Sequence, residues 1–390
     1  MSKLALVLQG GGSRGAYEAG VLRFMLDEIG PRLDKPLRFD LISGTSVGAL
    51  NGCWVAGRGP TRDAGRRLSR IWRNLSVHDV WRFDTMDLLL SPNRLFSGDP
   101  KSGASFLDAS PLHRLVTRLF PFAGMHEQIA AGELDAVVLA ATEVATGRSV
   151  LFVQHGEHIR PGTIPYPEID VRSVKLQPQH ALASAAIPFL FSPVEIDGRS
   201  FVDGGVRQNT PISPVLRLGA DKVLVLGVKR PFSQRSEQAL EEVEDTPNLV
   251  FLLGKVLNAF MLDPIEQDLS RLERLNQLFE WGEQAYGAGF LEGLNKVVEP
   301  HRGAPYRKVE SLIVRPREDL GRVCAQVYKQ SPPQVTRASR LLLDLISDRE
   351  KEEADFMSYL LFDKAYTSVL ERLGWEDARD MEERLAAFLA

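Results

Sequence analysis

The N-terminal part of the chain contains two consecutive strand–loop–helix units, and this repetition constrains the fold more than any other feature. Residues 4–8 form a short apolar run that stops at glycine, and residues 16–29 then carry apolar side chains at helical spacing. Residues 39–43 predict a second strand, and residues 47–55 predict a helix of small residues. Successive units of this kind pair their strands in parallel. The sequence therefore predicts an α/β fold.

Later segments extend the same sheet. Strand-like runs occur at residues 136–141, 150–153, 194–196, 200–202, 222–228 and 311–314. The dipeptide Asp197-Gly198 between two of these runs is typical of a hairpin turn. Helical periodicity with many charges follows over residues 249–279 and from residue 336 onward. We expect one domain over residues 4–214 and a mostly helical C-terminal extension over residues 215–390, which returns one or two strands to the core.

Composition and charge exclude several classes of protein. The 390 residues are 44% hydrophobic and 25% charged, which is typical of a folded globular chain. The formal charge of -4 gives no general attraction to nucleic acid. No window approaches the roughly 20 apolar residues of a membrane span, and the first residues do not match a secretory signal. We expect a cytoplasmic protein whose membrane contact, if any, is peripheral.

Residues 81–96 combine aromatic and leucine side chains without a clean period, which predicts a loop or lid. Trp81, Phe83 and the leucines at 88–90 lie close in sequence to Arg82 and Arg94. Such a cluster is typical either of an interfacial patch that touches lipid or of core residues beneath a loop. Both interpretations remain open.

Residues 10–15 read GGGSRG between a strand and the start of a helix. Backbone N–H groups and the helix dipole at such a loop favour a negatively charged oxygen. A dinucleotide site is the first alternative, but that fold places an acidic residue at the end of the second strand. Here Asp40 stands near the start of that strand. The pattern therefore favours a different anion.

Residues 44–48 read GTSVG on the second strand-to-helix turn. In this context Gly44 and Gly48 leave room for a sharp bend that presents the Ser46 hydroxyl, as in a nucleophile elbow. A serine nucleophile usually needs a histidine as its base. Only His301 follows residue 180, in a polar, loop-like stretch, and His155 and His180 precede the best acidic residue. A histidine triad is therefore the weaker hypothesis.

Asp203 supplies the other candidate base. It ends a predicted strand and is followed by Gly204 and Gly205, although Asp-Gly is also a common turn dipeptide. An aspartate with the ordinary pKa of about 3.9 is a poor base at neutral pH. Direct action on Ser46 would therefore require a carboxylate shielded from water or strongly hydrogen-bonded to the serine.

GGGSRG, GTSVG and DGG in this order resemble the motifs of the patatin-like phospholipases. The stretch over residues 181–211 is also similar to the family's approach to its catalytic aspartate, and the resemblance covers about residues 4–214. It implies a three-layer α/β/α sandwich with a mainly parallel central sheet. It further implies a serine acyl hydrolase that acts on lipid esters and needs neither metal nor organic cofactor.

The resemblance also assigns roles to residues. Ser46 would be the nucleophile and Asp203 the other half of a Ser-Asp dyad. The oxyanion hole would be formed by the glycine loop of Gly10, Gly11, Gly12, Arg14 and Gly15. The flanking glycines would be Gly44 and Gly48 at the elbow and Gly204 and Gly205 at the aspartate.

Two other functions remain open. One is a general carboxylesterase or acyltransferase that acts on soluble esters. The other is a non-enzymatic interaction protein that keeps the fold and uses its C-terminal helices to bind partners. Neither the sequence nor the resemblance fixes the head group, the acyl chain length or the oligomeric state.

Overall fold

The structure is a computed structural model that describes residues 2–83, 107–159, 167–230, 265–346 and 354–390. Nine strands form one sheet: β1 (Leu4–Leu8), β2 (Leu41–Thr45), β3 (Ala136–Glu143), β4 (Ser149–His155), β5 (Ile169–Ser173), β6 (Val194–Ile196), β7 (Arg199–Asp203), β8 (Lys222–Leu226) and β9 (Glu310–Val314). Seven of them follow the order β5-β4-β3-β2-β1-β8-β9. The pairs from β3 through β2, β1 and β8 to β9 are all parallel.

The helices lie on both faces of this sheet. The first eight are α1 (Gly15–Phe24), α2 (Val47–Arg58), α3 (Arg62–Asn74), α4 (Val77–Val80), α5 (Ser110–Leu119), α6 (Phe122–Ala130), α7 (Pro178–Ser184) and α8 (Ile212–Arg217). The C-terminal region adds α9 (Ile265–Tyr286), α10 (Phe290–Arg302), α11 (Leu320–Gln330), α12 (Arg337–Ile346), α13 (Met357–Leu360), α14 (Lys364–Asp380) and α15 (Glu382–Leu389).

Alternation along the strands separates two cores. In β1, Leu4, Leu6 and Leu8 join the larger core, whereas Ala5 and Val7 face the smaller one. This alternation follows from the two-residue period of a strand, which sends successive side chains to opposite faces. The larger core includes residues of α1, α2, α3 and α14, and the smaller core includes residues of α8 and α9. The predicted three-layer α/β/α sandwich is confirmed.

Most predicted strands are present with small shifts of their ends. The strand predicted over residues 39–43 lies at Leu41–Thr45, because Asp40 instead holds the start of β1, accepting a hydrogen bond from Leu4 N–H at 2.8 Å. The helix predicted over residues 16–29 ends its regular part at Phe24 and continues as one π-helical turn. Strand β5 was not predicted. The predicted helical segment 249–264 lies outside the described residues.

The environment of Trp81 decides between the interfacial-patch and core interpretations for this side chain. This side chain is fully buried, and its indole N–H donates to the Leu360 carbonyl oxygen at 3.0 Å. Phe83 is partly buried and packs against the larger core. Both side chains therefore belong to the core, and the lipid-touching role is wrong for Trp81. The leucines at 88–90 and Arg94 lie outside the described residues.

Helix α14 packs along α1 and fixes the C-terminal region to the sheet. The Tyr17 hydroxyl donates to Asp377 Oδ2 at 2.9 Å, and Arg23 pairs with the buried Glu371 at 3.1 Å. The helix backbones approach so closely that a Cβ built on Gly374 would lie 2.0 Å from the Tyr17 carbonyl oxygen. The contact therefore requires glycine at this position.

We expect Gly374→Ala to lower the free energy of unfolding by about 3 kcal/mol, because the added methyl group forces the two helices apart. Gly293→Ala is the matched control in α10, where a Cβ would meet none of the described atoms within 4 Å. That change replaces glycine with a better helix former and should stabilise slightly. Urea unfolding of both variants checks this, and equal midpoints would refute the tight α1–α14 contact.

Candidate active site

Ser46 occupies a strained turn between β2 and α2. Its φ of 55° and ψ of −126° lie outside the regions that non-glycine residues ordinarily adopt. Such strain persists only where the surrounding structure enforces it, and it is characteristic of a nucleophile elbow. The residue is 2% exposed and lies at the N-terminal end of a 12-residue helix. The positive end of the helix dipole therefore points toward the serine.

The elbow closes because Gly48 lets α2 approach β1. A Cβ on Gly48 would lie 2.5 Å from the Leu8 carbonyl oxygen, and one on Gly44 would lie 2.5 Å from the Gly48 carbonyl oxygen. A side chain at either position would push the helix away from the sheet. The predicted glycine spacing around the serine is therefore a packing requirement of this turn.

Ser184 holds the elbow from the opposite side. It ends α7, is fully buried, and its Oγ accepts a hydrogen bond from Ser46 N–H at 2.9 Å. The same Oγ donates to the Ala140 carbonyl oxygen at 2.6 Å. Sequence analysis did not single out Ser184, although it lies within the stretch that carries the family resemblance.

Strand pairing brings Asp203 to Ser46. Strand β2 pairs with β3 as far as Thr45 opposite Ala140, and β4 takes the other edge of β3. Strand β7 continues on the β2 side, with Asp203 opposite Ala141. Thr45 and Asp203 therefore face consecutive residues of one strand, and Ser46 follows Thr45 directly.

The Asp203 carboxylate is shielded from water. It is 1% exposed, and its Oδ1 accepts a hydrogen bond from Gly205 N–H at 2.7 Å. Its Oδ2 is buried and has no partner at hydrogen-bonding geometry among the described residues. Burial raises the pKa of Asp203 to about 7, while the nearby Ser46 hydroxyl and the Gly205 amide lower it. The group is thus poised to exchange a proton near neutral pH.

The candidate histidines lie elsewhere. The His180 ring accepts a hydrogen bond from Gln177 N–H at 2.9 Å and packs edge-on against Phe152. His155 contacts the Gly156 carbonyl oxygen at 2.9 Å, and His301 is exposed on α10. Within the described ranges, none of these rings is hydrogen-bonded to Ser46. The arrangement favours the Ser-Asp pair over a triad.

The glycine loop lies directly against the serine. A Cβ on Gly10 would lie 3.1 Å from the Ser46 Cβ. Gly10 N–H donates to the Asn209 carbonyl oxygen at 3.1 Å, and the Asn209 side-chain amide donates back to Gly10 O at 3.1 Å. This reciprocal pair fastens the loop to the segment that follows Asp203. Asn209 was not predicted as a site residue.

Some backbone N–H groups of the glycine loop are already hydrogen-bonded within the protein, and others are not. The amide of Arg14 donates to Gly11 O, and that of Gly15 donates to Gly12 O and Ser13 O. With Gly10 N–H bound to Asn209, the amides of Gly11, Gly12 and Ser13 donate to no backbone oxygen among the described residues. The amides of Gly11 and Gly12 are therefore candidate donors for a negatively charged oxygen beside Ser46.

The guanidinium of Arg14 points away from the serine. Its side chain is buried, pairs with Asp355, and donates from Nε to Ser358 Oγ at 2.9 Å. The guanidinium carbon also lies 4.1 Å from the centre of the Tyr359 ring. The side chain therefore binds the C-terminal region, and its contribution to an oxyanion site would be to shape the loop.

An apolar cavity opens at Ser46 and Gly12. It is lined by side chains of α3 and α5, among them Leu68, Ile71, Trp72, Leu112, Leu115 and Val116. The cavity is small, with a volume of about 50 Å³. Its apolar lining suits a hydrocarbon chain better than a polar group.

Asn51 connects this cavity to the glycine loop. Its side-chain amide donates to Gly15 O at 3.0 Å and to Glu18 Oε2 at 2.8 Å, and it accepts from the Trp72 indole N–H at 3.0 Å. Burial raises the pKa of Glu18 well above its usual range. Asn51 was also missed by sequence analysis, because all its contacts are with distant parts of the chain.

The described residues contain no cluster of three or more side chains suited to a metal ion. Among the same residues, no helix is long and apolar enough to cross a membrane.

Comparison with known proteins agrees with the motifs. The profile of the patatin-like phospholipase family matches residues 6–216. A patatin-like phospholipase domain-containing protein of Caenorhabditis elegans is 23% identical over 320 residues, which is 80% of this chain and 20% of that protein. The chain therefore spans about a fifth of this relative's length.

Solved structures that align with the chain include VipD from Legionella pneumophila, with 11% identity and a TM-score of 0.36. That alignment covers 98% of this chain and 67% of VipD. Human GIVD cytosolic phospholipase A2 aligns with 12% identity and a TM-score of 0.42, covering 100% of this chain and 60% of that one.

We expect Asp203→Asn to stabilise the protein above pH 7. The raised pKa means that folding takes up a proton between the unfolded value of about 3.9 and the folded value of about 7, so stability falls as pH rises through this window. Asparagine carries no charge to bury. Between pH 4 and pH 8 the thermal midpoint of wild type should fall relative to that of Asp203→Asn. Ser46→Ala, which keeps Asp203, should follow wild type. A constant difference would argue against a buried Asp203 charge.

Proposed function

The chain belongs to the patatin-like phospholipase family, and from this premise we propose that it is a serine acyl hydrolase that cleaves fatty-acyl ester bonds of lipids. The surroundings of Ser46 support this proposal. The strained Ser46 lies beside a buried carboxylate, the backbone amides of the glycine loop and an apolar cavity. A nucleophile, a base, an oxyanion site and a site for the acyl chain are thus adjacent.

In the first step the Ser46 hydroxyl oxygen attacks the ester carbon while its proton passes to Asp203 Oδ2. Asp203 Oδ2 has no hydrogen-bond partner among the described residues, and the pKa of Asp203 is raised to about 7. Both features support Asp203 as the base. The carbonyl oxygen becomes negatively charged and accepts hydrogen bonds from the amides of Gly11 and Gly12. Each such donor typically contributes about 3 kcal/mol to the stability of the transition state.

Collapse of the tetrahedral intermediate breaks the bond to the alcohol, which leaves with the proton held by Asp203. Ser46 then carries the acyl group. In the second step a water molecule gives its proton to Asp203 and attacks the acyl carbon. The fatty acid leaves, the proton returns to Ser46, and the free enzyme is restored. The proposed cycle consumes one ester and one water molecule, and neither step uses a metal or an organic cofactor.

The cavity supports a lipid substrate over a small soluble ester. Its walls are almost entirely apolar, so a long acyl chain would gain about 0.8 kcal/mol for each methylene removed from water. Within this lipid class, we propose phospholipase A or lysophospholipase chemistry, in which one fatty-acyl ester bond is cleaved at a time. A carboxylesterase acting on soluble esters is the second candidate, and it would show no gain with chain length.

Catalytic variants test the proposal. Ser46→Ala should abolish release of p-nitrophenol from esters and of fatty acid from phosphatidylcholine, and Asp203→Asn should reduce kcat by about 1,000-fold or more. His301→Gln, on the exposed face of α10, is the control and should retain wild-type activity. If Asp203→Asn keeps its activity, the dyad is wrong. A wild type as inert as Ser46→Ala would favour an interaction protein.

The pH dependence of kcat/KM follows from the same carboxylate. Asp203 accepts the serine proton only when it is ionised, so activity should rise through about pH 7 and level off above it. Initial rates with a p-nitrophenyl ester from pH 5.5 to pH 8.5, corrected with Ser46→Ala, measure this. A flat profile over that range would contradict the assignment of Asp203 as the base.

A further inference from the structure

A C-terminal segment, residues 354–362, binds the glycine loop. The Ser13 hydroxyl donates to the Ser358 carbonyl oxygen at 2.6 Å, and Arg14 donates from Nη2 to Ser358 Oγ at 2.6 Å. Asp355 forms an ion pair with the same guanidinium. Two adjacent residues of the loop are therefore held by side-chain and backbone groups that lie more than 340 positions later in the chain.

The backbone of this segment also touches the loop. Gly12 has a φ of +56°, and a Cβ at this position would lie 2.2 Å from the Tyr359 carbonyl oxygen. The Tyr359 ring lies beneath the Arg14 guanidinium. Since the Gly12 amide is one of the candidate oxyanion donors beside Ser46, the segment packs directly against a residue of the proposed oxyanion site.

The end of the segment reaches the acyl cavity. Phe362 lines that cavity together with Ser46 and Gly12, and its ring stacks on Trp72 with centroids 6.3 Å apart. The indole of Trp81 secures the intervening backbone at Leu360. The same short stretch therefore contacts both the glycine loop and the wall of the cavity.

We propose that residues 354–362 complete the active site: Asp355 and Ser358 are positioning residues for the oxyanion loop, and Phe362 is a specificity determinant for the acyl chain. The inference rests on the proposed acyl-hydrolase function and extends it beyond residues 6–216, which match the family profile. It assigns an active-site role to a part of the chain that carries none of the three motifs.

The glycine loop needs restraint from residues 354–362 because of its own composition. Four glycines in residues 10–15 give its backbone more conformational freedom than residues with side chains would. Oxyanion stabilisation requires donors already aimed at the developing charge, and misplacement by about 1 Å can cost 100-fold in rate. The contacts of Ser13 and Arg14 with the segment supply the restraint that glycine itself lacks.

Asp355→Asn and Ser358→Ala test the positioning role. Each should lower kcat by about 10- to 100-fold with KM within twofold of wild type, because binding in the cavity is unchanged. The rate of Ser46 labelling by a fluorophosphonate, which also places a negative oxygen at the loop, should fall in parallel. The matched control is Glu382→Gln, which breaks the Arg32–Glu382 pair between α15 and the turn after α1.

The outcomes separate this inference from the function on which it rests. A wild type that hydrolyses no ester overturns the proposed function and this inference with it. An active wild type whose Asp355→Asn and Ser358→Ala variants match Glu382→Gln in kcat and labelling rate overturns the positioning role alone. A thermal midpoint measured for each variant identifies any loss that comes from unfolding.

Phe362→Leu tests the specificity role. The smaller side chain enlarges the cavity, so the ratio of kcat/KM for a 16-carbon to an 8-carbon p-nitrophenyl ester should rise by about fivefold or more. Phe388→Leu is the control, because Phe388 is equally buried in α15 but does not line the cavity. An unchanged ratio in Phe362→Leu, or an equal change in both variants, would refute the role.

Discussion

The contact between Gly48 and the end of β1 determines the geometry of the whole site. It brings the N-terminus of α2 against the Leu8 carbonyl oxygen and thereby forces Ser46 into its positive-φ conformation. The glycine loop continues from the same end of β1. Because parallel strands bring their carboxyl ends to one edge of a sheet, Ser46 and the glycine loop become neighbours.

The position of Asp203 illustrates how function and stability oppose each other. Its carboxylate is buried beside Ser46, and the hydrogen bond from Gly205 N–H offsets only part of the cost of removing a charge from water. A neighbouring cation would lower this cost, but it would also lower the pKa and weaken the base. The antiparallel pairing of β7 with β3 holds the residue in place despite this cost.

The sequence predicted the strands near the glycine motifs and the candidate residues Ser46 and Asp203, because those signals are local. It did not predict Ser184, Asn209 or Asn51, whose hydrogen bonds join segments far apart in the chain. The sequence left Trp81 open between an interfacial patch and the core, and the hydrogen bond to the Leu360 carbonyl oxygen places it in the core. Periodicity reports which face of an element is apolar, but it does not identify what covers that face.

The C-terminal region links these observations. Helix α14 packs on α1, which begins where the glycine loop ends, and α13 lies against the loop itself. Movement of the C-terminal helices would therefore reach the glycine loop through α1 and through α13. If the amides of Gly11 and Gly12 stabilise an oxyanion, as proposed, such movement would change the direction in which these donors point. In that proposal the active site is assembled from residues of both ends of the chain, because Ser13 and Arg14 are hydrogen-bonded to Ser358.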